Sequence, residues 1–152
     1  MAITVSTAMP TSFKVSILKA LHDFTNGTGD TFKIALLEAT ATGSGTFGAA
    51  STSYDEMGTD EVNNGSGYTT GGATLSSVTP TSDSTTAICD FADVTWSTAS
   101  FTSCGAMIYN DTVAGNLACA VLSFSGDQTV SSGDFQIQFP AAAAATAIIR
   151  IA

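Results

Sequence analysis

The sequence predicts a mainly β protein: a two-sheet antiparallel β-sandwich with one N-terminal α-helix and a long irregular loop. Three observations predict it. Short apolar segments separated by turn residues recur at roughly ten-residue intervals through the second half of the chain, the spacing of a sandwich. Residues 135–139 alternate cleanly, with Phe135, Ile137 and Phe139 set to face inward and Gln136 and Gln138 outward. Helical periodicity is strong in one segment only, near the N-terminus.

Residues 1–11 read as an extended arm running into Pro10, and residues 12–152 as a single sandwich domain. Thr11 or Ser12 offers an N-cap for a helix over Phe13–Phe24. Phe13, Ile17, Leu21 and Phe24 share one face of it, Val15 and Leu18 widen that stripe, and Lys14, Lys19 and Asp23 lie off it. Asn26-Gly27 supplies the stop, because glycine accepts the left-handed conformation that ends a helix. Phe32–Ala39 reads as a largely buried strand. Thr40–Thr70 is rich in Gly, Ser, Thr and acidic residues, with Phe47, Tyr54, Met57, Val62 and Tyr68 scattered without period. It reads as an ordered excursion with a short helix around Asp55–Asn63, and such loops carry partner contacts when the scaffold is rigid.

Ala73–Thr79 and Thr85–Phe91 read as strands around a turn marked by Pro80, Ser82 and Asp83. Val94 and Trp96 alternate with Asp93 and Thr95, which sets Trp96 inward. Phe101–Tyr109 and Asn116–Phe124 form a hairpin through Asp111–Gly115, and Phe135–Phe139 and Ala147–Ile151 close the chain, with Arg150 pointing away from Ile149 and Ile151.

Composition narrows the function. At 152 residues the chain suits one domain, and its charged fraction of 11% is far below the usual quarter or so. Ser, Thr, Gly and Ala fill the gap, giving a surface that packs against neighbours without desolvating many ions. Lysine, depleted at interfaces, occurs only at 14, 19 and 33. The net charge is −9, and Lys14, Lys19, Lys33 and Arg150 form no basic cluster. That argues against direct nucleic-acid binding and against an anionic membrane surface. No apolar run is long enough to span a bilayer. MAITVSTAMPTS has neither a basic n-region nor an apolar h-region, so it does not read as a signal peptide and the expected compartment is the cytoplasm.

No constellation reads as catalytic, cofactor-binding or metal-binding. Cys89, Cys104 and Cys119 are odd in number, widely spaced and set among apolar or small residues, as buried small hydrophobes are. His22, the sole histidine, sits beside Asp23 with no GxSxG elbow elsewhere, and reads as a half-exposed helix-end residue. Asp55, Glu56, Asp60 and Glu61 put four acids in seven residues, but not at calcium-loop spacing. They read as a solvated loop, with contact to a basic partner and a cation site as alternatives. The glycines of 65–71 have one residue too many for GxGxxG and precede a strand.

Six segments carry a family resemblance: DFADVTW (Asp90–Trp96), GAMIYND (Gly105–Asp111), AVLSFSGD (Ala120–Asp127), FQIQFP…AIIRI (Phe135–Pro140, Ala147–Ile151), FKIALLEATAT (Phe32–Thr42) and the DEVNNGSGYTTGG core of Tyr54–Gly72. Across residues 12–152 the chain resembles small structural proteins of tailed bacteriophages. The resemblance implies a virion protein without enzymatic activity, assembled in the host cytoplasm. Its foremost form is a capsid decoration (cement) protein that binds the major capsid protein shell and itself assembles as a trimer or dimer, with no cofactor, nucleic acid or membrane. The alternatives are a tail, baseplate or fibre component, or a receptor- or glycan-binding module; the last calls for an exposed aromatic platform at Trp96 or Tyr109. Partner contacts are expected from the arm, at Met1, Ile3, Val5 and Met9, by strand addition to a neighbour's sheet edge. The loop residues Tyr54, Asp55, Glu56, Met57 and Tyr68 are expected to contribute as well.

Overall fold

One strand organises the molecule. β2 (Phe32–Leu37) is buried at every position but the half-buried Lys33, and it lies inside a four-stranded antiparallel sheet. The computed structural model describes residues 2–152, with Ser77 and Val78 described by their backbone alone. Numbering strands along the chain, that sheet has the order β4-β2-β7-β8, where β4 is Ala73–Leu75, β7 is Val94–Asn110 and β8 is Ala118–Ile137. A second antiparallel sheet has the order β5-β6-β9, from Ser77–Asp83, Thr86–Phe91 and Ile149–Ile151. Ile34, Leu36, Ala106 and Ile108 of the first sheet meet Cys89, Phe91 and Ile149 of the second, with Trp96 and Phe13 in the same core. The chain is a mainly β, sandwich-like fold, as the alternation predicts.

The pleat sends the next residue of each pair the other way. Ala35, Leu37, Met107 and Tyr109 therefore form a second core on the opposite face of the larger sheet, together with Ile3, Phe47 and Met57. Its cover is not a third broad sheet. It is β1 (Thr4–Val5) paired parallel to β3 (Thr46–Phe47), and two short 3-10 turns at Tyr54–Glu56 and Gly58–Asp60. The excursion expected over Thr40–Thr70 is present and ordered, and in place of one short helix around Asp55–Asn63 it carries these two 3-10 turns. Most of its scattered apolar residues descend one at a time onto the sheet: Phe47, Met57, Val62 and Tyr68 are all buried. Burial on both faces explains why β2 reads as an unbroken apolar run.

The helix is shorter than its periodicity suggests. α1 spans Thr11–Leu18, starts after Pro10 without a side-chain cap, and uses the Ser12 hydroxyl to donate to the Ser51 carbonyl at 2.8 Å instead. It closes with Leu21 N–H bonded to Ser16 O at 3.1 Å and Ala20 N–H to Ile17 O at 2.9 Å, with Ala20 at φ 56° where glycine is usual. Phe24 reaches the core beyond the helix, stacked on Phe32 at 4.2 Å. Phe13 and Ser16 are the buried positions of α1, while Val15 and Leu18 are exposed rather than widening the core stripe.

Two turn assignments also change. Pro80 lies within β5, an edge strand, at the register shift between Val78 and Thr81, where a missing N–H removes no ladder bond. The turn itself is Ser84-Thr85, with Ser84 at φ 56°. The segments around 101–109, 116–124 and 135–139 are one hairpin, paired from Tyr109 opposite Ala118 down to Val94 opposite Ile137. Register shifts absorb its bends, at Thr98, Ser125, Gly126 and Ser132, all with positive φ.

Candidate functional site

The acidic quartet separates into four local roles. Glu61 is buried and accepts from the hydroxyls of Tyr54 and Tyr68 and from the Gly71 amide, each at 2.7 Å. Three donors satisfy this carboxylate without a cation. The Tyr68 hydroxyl also accepts from the Leu36 amide at 3.0 Å, and the Tyr109 hydroxyl donates to the Gly71 carbonyl at 2.7 Å. Burial first, and the Glu61 charge with it, hold the Tyr54 and Tyr68 hydroxyls well above the ordinary tyrosine range; burial and the nearby Asp111 do the same for Tyr109. Asp60 is buried and accepts from the Ser44 amide at 3.0 Å; a Cβ at Gly43 or Gly45 would strike its carboxylate. Only Asp55 and Glu56 remain at the surface, Asp55 accepting from the Asn116 side chain at 3.3 Å and Glu56 from the Thr52 amide at 3.1 Å. Among the described residues no group of three or more His, Cys, Asp and Glu could hold a metal ion.

The expected contact residues therefore part company. Met57 and Tyr68, about 1% and 2% exposed, belong to the core, because each anchors a turn onto the sheet. Tyr54 is half-buried, its ring stacked on Tyr109 at 4.4 Å. The arm is spent within its own chain. Ile3 is buried, Val5 packs on the second core and Met9 on the first. Ile3, Thr4 and Ser6 donate backbone bonds to Thr40, Gly45 and Phe47, and Ala8 exchanges both bonds with Val121 at 2.9 Å. Strand addition to a neighbour is corrected to strand addition at home, where β3 and the β8 edge offer pairing within reach. Met1 lies outside the described residues.

His22 lies beyond the end of α1, half-buried against Phe13 with ring centroids 4.9 Å apart. The buried Ser16 hydroxyl is 2.6 Å from its Nε2, which has the outline of a nucleophile and its base. The network assigns the opposite roles. Ser16 donates its one proton to the Phe13 carbonyl at 2.8 Å, so His22 Nε2–H donates to Ser16, and Nδ1 accepts from the Asn110 amide at 3.0 Å. Asn110 gives its second amide proton to Asp30 at 2.7 Å, and its oxygen accepts from the amides of Thr112 and Val113. Burial lowers the His22 pKa, against the opposing pull of Asp30. The sequence reading missed Asn110; its signal is an asparagine heading a hairpin turn, where Asx side chains bind nearby amides.

Two apolar surfaces stand out among the described residues. The first follows β8, the edge of the larger sheet. The arm covers that edge at Val121, and its last bond along it among the described residues is accepted by Thr7 Oγ1 from the Ser123 amide at 3.0 Å. From Phe124 onward β8 has no second strand partner among the described residues. A groove of about 580 Å³ runs along it, floored by Phe124, Phe135, Ile137 and Phe139 and rimmed by Gln128, Gln136 and Gln138. The second surface is the outer face of α1, where Leu18 is 88% exposed. Trp96 and Tyr109 are buried, so neither forms an aromatic platform. Among the described residues no helix is long and apolar enough to cross a membrane.

Compared with known proteins, the chain matches no protein-family model, no curated protein and no solved structure.

Proposed function

We propose that the chain is a structural protein of a tailed-phage virion, foremost a capsid decoration protein that docks on the major capsid protein shell and stabilises it. The observation that carries this reading is the open edge of β8 with its groove. A row of half-buried aromatic and aliphatic side chains lies beside the neutral amides of three glutamines, with Asp127 and Asp134 the only charges along the strand. Such a surface anchors a partner through apolar area while leaving few ions to desolvate, and the exposed ladder groups of an edge strand can accept an extended segment. The motif resemblance supplies the virion context. A tail, baseplate or fibre position is the second reading, because the same surface suits any repeated protein–protein contact.

Quantitative mass spectrometry of purified virions tests this. Near parity with the major capsid protein supports decoration, a handful of copies per particle assigns the tail or a vertex, and absence from the particle overturns the virion reading. The paired substitution Gln136→Lys/Gln138→Lys, on exposed positions of the rim, is expected to abolish particle binding while leaving thermal unfolding unchanged.

A further inference from the structure

We propose that the outer face of α1 is the seam of a symmetric dimer, its occupant a second copy of this chain. Val15, Leu18 and Leu21 account for three of the four exposed large apolar side chains among the described residues. Val15 and Leu18 are three apart on one helix face, and Leu21, beyond the helix end, lines the same groove as Val15. Scattered surface leucines need no explanation, whereas a contiguous patch marks a contact. Beside the patch lies a groove of about 360 Å³, with Val15 and Leu21 on one wall and Thr52 and Leu117 on the other.

Charge says what covers it. Of the four cationic side chains, Lys33 pairs with Asp111 at 2.9 Å and Arg150 donates to the Ala145 carbonyl. Lys14 and Lys19 make no ion pair among the described residues, and both stand on the helix wall of this groove or next to it. On the opposite wall Thr52 holds the Glu56 carboxylate through its amide and hydroxyl, and Asn116, next to the wall residue Leu117, holds Asp55. The patch therefore runs from a positive rim through an apolar centre to a negative rim. A two-fold rotation makes such a patch complementary to itself. Leu18 of each copy enters the groove of the other, and Lys19 of each meets Glu56 of the other. The dimer does not depend on the virion reading, and it leaves the β8 groove free.

Sedimentation equilibrium of the full chain over a wide concentration range reads the outcome. The wild type is expected to be a dimer, and Leu18→Asp to weaken the dissociation constant by about tenfold or more. Lys19→Glu and Glu56→Lys should each weaken it about fivefold, and the double exchange should return it to within about threefold of the wild type. A wild type that stays monomeric, a dimer indifferent to Leu18→Asp, or a double exchange no better than the worse single one overturns the proposal. Leu18 and Lys19 are exposed, so those variants keep the fold. Should circular dichroism show that Glu56→Lys disturbs the loop held by Thr52, Asp55→Lys takes its place in the exchange.

Discussion

The Tyr68 hydroxyl donates a 2.7 Å hydrogen bond to the buried Glu61 carboxylate, and in doing so ties the loop to the sheet it covers. The same oxygen accepts from the Leu36 amide on β2. Replacing Tyr68 with phenylalanine strands that amide and removes one of three donors to a buried charge. The expected loss is about 1–3 kcal/mol, seen as a fall in Tm of about 2–4 °C per kcal/mol for a chain of this size. Tyr54→Phe should cost less, because its ring stays stacked on Tyr109 and its site is half open to water. Equal Tm values for Tyr68→Phe and wild type would refute the role assigned to this bond.

All three tyrosines of the chain carry raised pKa values, so the native protein resists forming tyrosinate. The unfolded chain ionises near pH 10 while the folded one keeps its protons, and stability falls as pH rises past that point. Absorbance near 295 nm should stay flat through the ordinary tyrosine range and then rise together with the loss of β-structure by circular dichroism. A smooth tyrosinate titration preceding unfolding would count against burial of these hydroxyls.

The acid side belongs to His22. Its lowered pKa means that the unfolded chain takes up a proton near pH 6.5 before the folded one does. Stability present above that pH is lost as pH falls below it. Protonation would also turn Nδ1 into a donor facing the Asn110 amide, itself a donor. Thermal unfolding is expected to show a lower Tm at pH 5 than at pH 7, and His22→Gln is expected to flatten that difference. A wild-type Tm that does not change across this interval would contradict the assignment.

Backbone geometry supplies a sharper contrast. Gly72 has φ +76°, and a Cβ there would lie 1.9 Å from the Ile34 carbonyl oxygen on β2. Gly126 has φ +139° with nothing near a Cβ. Gly72→Ala should therefore lose several kcal/mol, or fail to fold, whereas Gly126→Ala should lose about 1–2 kcal/mol from backbone strain alone. Denaturant midpoints measured on the two variants decide it, and similar losses would overturn the close approach.

What the sequence reveals follows from which signals repeat. Phe135, Ile137 and Phe139 alternate with glutamines, and the mainly β class follows from such runs. The loop between β2 and β4 leaves no period, because its apolar residues drop singly from short elements and turns, Phe47 and Met57 onto the second core and Val62 and Tyr68 onto the first. Ser125-Gly126 and Ser132-Gly133 have the chemistry of turns, so a sequence reading splits the hairpin there; the fold uses these positions for bends within one ribbon. On α1 the apolar residues define two adjoining stripes, and periodicity cannot say which of them faces in. Phe13 faces in, while Val15 and Leu18 face out. For contact residues the ambiguity is deeper, since an apolar side chain such as Ile3 or Met57 suits a core and an interface equally well.

The docking of the arm has a consequence for synthesis. Ala8 must find Val121, and Thr7 must find Ser123, a separation of 116 residues for the latter pair. At roughly 5–20 residues per second the arm waits on the order of ten seconds for its partner to be made. Throughout that interval the Thr7–Ala8 end of the arm has nothing to pair with, and the larger sheet lacks its outer strand. Contacts of such sequence distance form late and slowly. The order of birth and the order of folding are thus reversed for this segment: it is translated ahead of the strand it rests on, and settles only when that strand exists.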